Sequence, residues 1–176
     1  MEIRAANGRE LRKIKRIYLE AFPRTERKPF RMMKKKARQG AMELLSILDG
    51  GRIVGLAVTV RYQDVVLLDY FAISRACRGS SYGSEALGIL KKRYEGQRLI
   101  LEIELPDEHA VNQEDRIRRK KFYLKNGMRE TGIRVLVFQV PMEVLTAGGS
   151  LTYEEYHAVY EHTIGIFFAK KVSLLE

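Results

Sequence analysis

A buried strand, a glycine-containing loop and a helix follow one another in residues 64–90, and this order limits the fold more than any other feature. The segment reads DVVLLDYFAISRACRGSSYGSEALGIL. Val65–Ile73 is apolar enough for a buried strand, and the loop Arg78–Ser84 leads into a helix. Backbone N–H groups at a helix N-terminus favour an anion, and Gly79 and Gly83 allow a ligand to approach the backbone. The segment therefore predicts a phosphate-binding loop.

Two common phosphate-binding motifs do not fit this loop. A P-loop requires Lys and then Ser or Thr after its last glycine, whereas Gly83 is followed by Ser84-Glu85. The dinucleotide fingerprint requires three glycines at fixed offsets, and Ser81 leaves only two. A phosphate site in this loop would therefore belong to another class, and an ordinary strand–loop–helix unit is the alternative.

The composition is that of an ordinary globular protein. The chain has 176 residues, of which 45% are hydrophobic and 31% charged, as expected for one domain with a sizeable core. No apolar run reaches the roughly 20 residues that span a bilayer, and the first residues lack the apolar stretch of a signal peptide. The single cysteine, Cys77, excludes an internal disulfide and a cysteine-based zinc site. We expect a cytoplasmic protein.

The formal net charge of +10 favours anionic partners, among them nucleic acids and anionic cofactors. Basic runs at Arg31–Arg38 and Arg116–Lys121 lie on predicted helices. Because no aromatic residues alternate with these charges as in a stacking platform, solvated helix faces are favoured over a nucleic-acid patch. A nucleic-acid-associated basic protein stays open as an alternative, and it predicts salt-sensitive binding to RNA or DNA.

Apolar periodicity and turn residues predict alternating helices and strands. Apolar residues recur at helical spacing from Leu11 to Phe22, Asp49-Gly50-Gly51 predicts a hairpin, and Thr152-x-x-Glu155 is a capping box. Phe167–Leu175 is ambiguous. The predicted elements are a strand at Met1–Ala5, helices at Arg9–Phe22 and Phe30–Arg38, strands at Ala41–Leu48, Ile53–Arg61 and Val65–Ile73, a helix at Ser81–Tyr94, a strand at Arg98–Leu105, a helix at Asn112–Asn126, strands at Gly132–Val140 and Met142–Thr146, and a helix from Thr152 to about Ile164.

Two motifs in this chain resemble those of the GNAT superfamily of acyl-CoA-dependent N-acetyltransferases. Arg78, Ser81 and Gly83 stand at the positions of the family's Gln/Arg-x-x-Gly-x-Gly/Ala motif, with Ser81 where the first glycine usually stands. Residues 119–128, RKKFYLKNGM, are similar to the family's late helix, which ends in Phe-Tyr, three residues, Gly and an apolar residue. The order of the predicted elements agrees as well, and the resemblance covers roughly residues 1–146.

The resemblance implies an α/β (α+β) fold with a mixed, mostly antiparallel central sheet and helices on both faces. Two parallel strands, Val65–Ile73 and Arg98–Leu105, would splay apart with the pantetheine arm of the cofactor between them. A C-terminal helical extension, 150–176, would follow the core, 1–146, within a single acetyltransferase domain spanning 1–176.

The resemblance also implies acetyl-CoA as cosubstrate, no metal, and a small-molecule or peptide amine as acceptor. A monomer or homodimer without a membrane partner is expected, and nucleic acid is the less favoured partner. Main-chain groups expected to contact the pantetheine and the thioester belong to Phe71, Ala72 and Ile73. N–H groups expected to hold the pyrophosphate belong to Arg78, Gly79, Ser80, Ser81, Tyr82, Gly83 and Ser84.

The implied reaction is attack of a neutral amine on the acetyl thioester, which requires a base for the ammonium and an acid for the thiolate. Tyr123 matches the family's acid, because a phenol of pKa about 10 is protonated at pH 7; a core tyrosine is the alternative. Alternation places Glu102 and Glu104 on one face of their strand, where carboxylates are costly unless exposed or functional. Asp69, on the partner strand, is a third candidate. We favour Glu102 as the base, and a solvated face is its alternative interpretation.

Three residues depart from the family pattern. Ser81 adds a Cβ and a hydroxyl to the loop, and Arg116 replaces an asparagine that contacts the cofactor in many members. Leu67 stands where histone-type members have the glutamate that acts as their catalytic base, so this chain has no equivalent of that base at this position. A GNAT domain that binds acyl-CoA and transfers nothing is therefore a second alternative function.

Overall fold

A computed structural model describes residues 1–175 of the chain. Within them the strands are β1 (Glu2–Ala5), β2 (Met42–Asp49), β3 (Arg52–Tyr62), β4 (Val65–Ile73), β5 (Arg98–Glu104), β6 (Arg129–Val137), β7 (Val140–Ala147) and β8 (Val172–Leu174). The helices are α1 (Glu10–Ala21), α2 (Phe30–Arg38), α3 (Tyr82–Arg93), α4 (Gln113–Lys125), α5 (Tyr153–Ile164) and the short α6 (Ile166–Ala169). No helix in residues 1–175 is long and apolar enough to cross a membrane.

The strands form one mixed sheet in the order β1-β2-β3-β4-β5-β7-β6-β8. β4 and β5 are parallel, and their pairing joins Val65–Leu67 to Arg98–Ile100. The pairs β1–β2, β2–β3, β5–β7, β6–β7 and β6–β8 are antiparallel. The predicted class, an α/β fold with a mixed and mostly antiparallel sheet, is confirmed.

Contacts between residues divide the chain into two compact units. The first comprises Met1–Val60 and Leu68–Arg93, and the second comprises Arg61–Leu67 and the chain from Tyr94 onward. Each fully buried apolar side chain contributes about 1.5–3 kcal/mol to folding. Such side chains in the first unit include Tyr18, Met33, Leu45, Leu56 and Leu87, and those in the second include Leu99, Ile100, Leu145, Tyr156 and Val159.

The hairpin that joins β6 to β7 differs from its predicted limits. We expected a strand over Gly132–Val140, but β6 begins at Arg129 and the turn lies at Phe138-Gln139. Both turn residues have positive φ, 49° and 73°, which tight hairpins usually obtain from Asn-Gly or Gly-Gly. Gly132 lies inside β6 where the register with β7 shifts, so it belongs to a bulge and does not begin the strand.

The C-terminal extension contains a strand as well as helices. The capping box that begins α5 is present, since the Glu155 amide donates to Thr152 Oγ1 at 3.3 Å and the Thr152 amide donates to Glu155 Oε2 at 2.9 Å. The ambiguous segment Phe167–Leu175 completes α6 and forms β8, which pairs with β6. The predicted extension, 150–176, is therefore only partly helical, and residue 176 lies outside the described residues.

Candidate active site

The loop after β4 is shaped by a turn of 3-10 helix and by a glycine in the left-handed region. Arg75–Cys77 form the 3-10 turn. Gly79 then has a φ of +81°, a conformation that favours glycine. Because α3 begins at Tyr82, residues Arg78–Ser84 comprise the loop and the first residues of that helix. The strand, loop and helix thus follow one another as the sequence predicts.

Side chains of the loop are held by neighbouring backbone. Arg78 Nε donates to the Ile73 carbonyl oxygen at 3.2 Å, although the side chain is exposed. Ser80 Oγ donates to the Cys77 carbonyl oxygen at 2.8 Å. These bonds fix the loop conformation, which keeps its backbone N–H groups in a defined arrangement.

The Ser81 hydroxyl forms a hydrogen bond with a residue of the first turn of α3. Ser81 Oγ donates to the Glu85 carboxylate, and the Glu85 amide donates to the Ser81 carbonyl oxygen at 3.0 Å. A carboxylate in the first turn of a helix stabilises that helix, but it also opposes a bound anion nearby. The phenol of Tyr82 donates to Asp49 Oδ2 at 2.9 Å, and this hydrogen bond raises the pKa of Tyr82.

Gly55 on β3 lies against the main chain at the end of β4. A Cβ at Gly55 would lie 2.6 Å from the Ala72 carbonyl oxygen and 3.0 Å from Ile73 Cδ1. A Cβ atom almost never lies so close to a backbone oxygen. Only glycine therefore fits at this position without a shift of the neighbouring main chain. Gly55 therefore helps to position the main chain of Phe71–Ile73, for which the resemblance to the GNAT superfamily implies contacts with the cofactor.

Tyr123 lies on α4 with 9% of its surface exposed. Burial raises the pKa of Tyr123 to about 12, and the positive charge of Arg119 opposes this effect. The phenol is therefore protonated at neutral pH. Its hydroxyl makes no hydrogen bond with any residue in the described range 1–175, so a proton on this oxygen can be donated to another molecule.

Two phenols of α5 donate to the same oxygen of Glu102 on β5. The hydroxyls of Tyr156 and Tyr160 each lie 2.6 Å from Glu102 Oε1. Both tyrosines are buried, and burial followed by the Glu102 charge raises the pKa of Tyr156 well above its ordinary value. Glu102 is half-buried and hydrogen-bonded to α5, which differs from the solvated face considered as its alternative.

Glu104, two residues further along β5, pairs with α4 instead. Its Oε1 lies 2.9 Å from Arg116 Nη2, and its Oε2 lies 3.3 Å from Arg119 Nη1. The Arg116 side chain is only 14% exposed and also donates to the Leu105 carbonyl oxygen at 2.9 Å. Arg116 thus connects α4 to the end of β5 and is not a solvent-facing residue.

Asp69 is neutralised by a lysine from the segment between α1 and α2. Lys28 Nζ lies 2.6 Å and 2.7 Å from the two carboxylate oxygens of Asp69, whose side chain is 7% exposed. The same ammonium lies 5.6 Å from the ring centroid of Tyr70. Both carboxylate oxygens of Asp69 are therefore occupied by one ammonium group.

The candidates are distributed over both units. Asp69, Phe71–Ile73 and the loop Arg78–Ser84 belong to the first unit, and Glu102, Glu104 and Tyr123 belong to the second. Sequence reasoning missed Tyr156 and Tyr160, although two tyrosines four residues apart on a predicted helix were a usable signal. In residues 1–175 no group of three or more His, Cys, Asp or Glu side chains is arranged to hold a metal ion.

Comparisons with known proteins agree with the fold. A comparison with curated proteins found no match. Among solved structures, a protein from Bacteroides thetaiotaomicron that is assigned to the GNAT family has a TM-score of 0.78 at 17% identity, over 96% of this chain and 99% of that one. An aminoglycoside 6'-N-acetyltransferase complexed with coenzyme A has a TM-score of 0.64 at 13% identity, with coverages of 84% and 96%. A ribosomal-protein-alanine N-acetyltransferase from Brucella melitensis has a TM-score of 0.62 at 17% identity, with coverages of 84% and 99%.

These structural likenesses establish the fold, and a family model establishes the relationship. The model of the acetyltransferase (GNAT) family matches residues 11–128, which is more than half of the chain. The match includes β4, the glycine-containing loop, α3, β5 and α4. The chain therefore belongs to the GNAT family of acetyltransferases.

Proposed function

We propose that this chain is an N-acetyltransferase that transfers an acetyl group from acetyl-CoA to a primary amine by direct attack. The observation that carries the proposal is the strand, loop and helix formed by β4, Arg78–Ser84 and α3, inside the region that the family model matches. The coenzyme A in the related aminoglycoside acetyltransferase structure supports the choice of cofactor. We further propose that residues 1–176 act as one acetyltransferase domain.

The loop suits a pyrophosphate. Consecutive backbone N–H groups at the N-terminus of α3 favour an anion, and the exposed Arg78 side chain adds a positive charge. Glu85 opposes an anion at the same helix terminus, and this effect is moderate because its side chain is exposed to solvent. We propose that the N–H groups of Arg78–Ser84 hold the pyrophosphate and that main-chain groups of Phe71–Ile73 contact the pantetheine.

The chemistry requires two proton transfers by groups of this chain. Acetyl-CoA, when bound, supplies the acetyl thioester. We propose that the Glu102 carboxylate takes a proton from the attacking amine, and that the Tyr123 hydroxyl gives a proton to the departing thiolate. Glu104 and Asp69 are the other candidates for the base, and both are engaged in ion pairs with arginine or lysine.

The acceptor is proposed only by class. The named relatives act on an aminoglycoside in one case and on the alanine of a ribosomal protein in another. Both a small molecule and a peptide are therefore reasonable acceptors for the same fold, and we propose a primary amine of either kind. Incubation with acetyl-CoA and a panel of amines, peptides and aminoglycosides, with release of free thiol as the readout, identifies the acceptor.

Gly83→Asp tests the cofactor site. Ligand that binds only the folded state raises Tm by mass action, and we expect this shift in the parent as acetyl-CoA exceeds its Kd. In Gly83→Asp a carboxylate beside the pyrophosphate should abolish the shift, because it repels the ligand and fills the space next to the backbone. Gly88→Asp is the matched control, since Gly88 lies on the same helix and nothing lies within 4 Å of an added Cβ.

Each outcome of this experiment has a distinct meaning. A parent without any shift at millimolar acetyl-CoA contradicts the proposed cofactor. Equal shifts in Gly83→Asp and Gly88→Asp contradict the proposed pyrophosphate site. A shift in the parent without thiol release on any amine supports a domain that binds acyl-CoA and transfers nothing.

A further inference from the structure

The excess positive charge of this protein is confined to one short segment. Residues 9–38, which include α1 and α2, contain 13 of the 32 lysines and arginines and 3 of the 22 aspartates and glutamates. The segment alone carries a formal charge of +10, which equals that of the whole chain. The other residues are therefore neutral in sum, and the basic character of the protein is a local property.

The same spacing of cations occurs on both helices of this segment. Arg9, Arg12, Lys13 and Arg16 form what we name the α1 stripe, and Arg31, Lys34, Lys35 and Arg38 form the α2 stripe. Both stripes have the spacing i, i+3, i+4, i+7, which places all four side chains on one side of a helix. All four side chains of the α1 stripe are exposed. In the α2 stripe only Lys34 is half-buried.

The two stripes differ from the other basic run of the sequence, on α4, in their ion pairs. No residue of either stripe forms an ion pair with any of residues 1–175. On α4, by contrast, Arg116 pairs with Glu104 at 2.9 Å, Arg118 with Asp115 at 2.7 Å and Lys120 with Glu143 at 2.9 Å. Like charges three and four residues apart destabilise a helix, so eight cations without acidic partners are better explained by an external anion than by folding.

The composition of the surface favours one class of anion. Within residues 9–38 of the described chain, Leu19 is the one large hydrophobic side chain that is exposed. A helix that inserts into a lipid surface needs a free apolar face, whereas the apolar residues Ile14 and Ile17 of α1 are buried in the core. A protein partner would need apolar or aromatic anchors. Non-specific nucleic-acid binding needs only cations that contact phosphates.

We propose that the α1 and α2 stripes bind the phosphodiester backbone of a nucleic acid, independently of base sequence. Arginine suits this role because its planar guanidinium contacts phosphate oxygens in pairs, and each stripe begins and ends with arginine. The two stripes share no residue with the loop Arg78–Ser84 proposed for acetyl-CoA, and the proposal does not depend on acetyl transfer.

Fluorescence anisotropy with labelled single-stranded RNA and labelled duplex DNA, over a series of NaCl concentrations, tests the proposal and distinguishes the two sources of phosphodiester. We expect the binding constant of the parent to fall steeply with salt on at least one of the two probes. Replacing all four residues of the α1 stripe by Gln should weaken binding. It should also make the slope of log K against log salt shallower by roughly 3 on a single strand, since each lost phosphate contact removes about 0.7.

A matched control separates the position of the charges from their number. Lys92, Lys121, Lys125 and Lys170 are exposed lysines outside the segment, and their replacement by Gln gives the same net charge as the α1 variant. We expect this control to bind nearly as the parent does, and circular dichroism to show that both variants are folded. The Tm shift with acetyl-CoA should be the same in both, which keeps this test separate from that of the proposed function.

Three results would overturn the proposal. The first is a parent that binds neither probe at low salt, and the second is a control that loses as much affinity as the α1 variant. The third is tighter binding of the parent to phosphatidylserine vesicles or to a poly-glutamate peptide than to both nucleic acids, which would assign the surface to a lipid or an acidic protein.

Discussion

Tyr123 is a buried phenol whose hydroxyl has no hydrogen-bond partner in residues 1–175, and its substitution tests the chemistry at the level of one residue. If the hydroxyl protonates the leaving thiolate, Tyr123→Phe should lower kcat by about 10²–10⁴-fold, the usual range for general acid catalysis. The Kd for acetyl-CoA should change little, because the ring stays in place. Thermal stability should be nearly unchanged as well, since no hydrogen bond within the described chain is lost.

Tyr153→Phe is the matched control for this prediction. Its hydroxyl donates to the Val172 carbonyl oxygen at 3.1 Å, so its loss should cost about 1 kcal/mol of stability without a change in turnover. Steady-state kinetics and thermal melting of both variants give the comparison. Full turnover in Tyr123→Phe would remove this residue from the mechanism.

Single-residue roles were only partly predictable from the sequence. Alternation along a strand was enough to place Glu102 and Glu104 on one face of β5. The groups that contact them come from α5 and α4, and the tyrosines that reach Glu102 lie 54 and 58 residues further along the chain. Local periodicity contains no information about such distant partners, so the hydrogen-bonded state of Glu102 required the structure.

The contact between α5 and β5 is the element-level feature that bears most on the proposed base. Hydrogen bonds to a carboxylate favour its charged form, so the phenols of Tyr156 and Tyr160 help to keep Glu102 ionised. We expect the double variant Tyr156→Phe, Tyr160→Phe to have a lower free energy of unfolding than the parent. The expected loss is about 1.5–3 kcal/mol for each of the two hydrogen bonds to the charged Glu102. If Glu102 is the base, the acidic limb of the pH profile of kcat/KM should also move to higher pH.

These two effects separate a structural role from a catalytic one. Urea denaturation measures the stability, and the dependence of kcat/KM on pH measures the proton transfer, with Tyr153→Phe again as the control on the same helix. A loss of stability with an unmoved acidic limb would mean that the tyrosines only attach α5 to β5, and that another group is the base.

Elements with strong local signals were predicted well, and those without them were not. The predicted limits of β4 and α2 are those of the structure. A continuous apolar run defines β4, and Pro29 and Gly40 mark the two ends of α2. The turn between β6 and β7 was missed because Phe138-Gln139 lacks glycine and asparagine, although both residues adopt positive φ. β8 is three residues long, and its pairing with β6 is a long-range contact that no local pattern reveals.

The charge distribution of the whole molecule shows the same limit of sequence reasoning. Both basic runs, Arg31–Arg38 and Arg116–Lys121, have similar composition, and sequence favoured solvated helix faces for each. In the fold, Glu104 and Glu143 come from strands to neutralise α4, whereas the stripes of α1 and α2 receive no acidic partner from residues 1–175. Ion pairing depends on which elements pack together, and composition alone does not determine it.

Arg98 connects three distant parts of the second unit and makes its stability depend on pH. Its guanidinium lies 2.8 Å from both oxygens of Asp64 and 2.7 Å from Glu155 Oε2, and it donates to the Ser150 carbonyl oxygen at 2.9 Å. These hydrogen bonds lower the pKa of Asp64 and of Glu155 below their ordinary values of 3.8 and 4.5. A carboxyl whose pKa is lowered by folding stabilises the protein above its ordinary pKa, and this contribution disappears as pH falls through the lowered value.

We therefore expect the free energy of unfolding of the parent to be constant near neutral pH and to decrease as pH falls below about 5, through the region where both carboxyls gain protons. Arg98→Gln should be less stable than the parent at pH 7, and the difference should shrink steadily toward pH 3. Arg118→Gln is the control, because its pair with Asp115 is highly exposed and worth little. Urea denaturation of the three proteins between pH 3 and pH 7 measures these differences. A gap between parent and Arg98→Gln that does not depend on pH would mean that Arg98 acts through packing and its bond to the Ser150 carbonyl, and not through the two carboxylates.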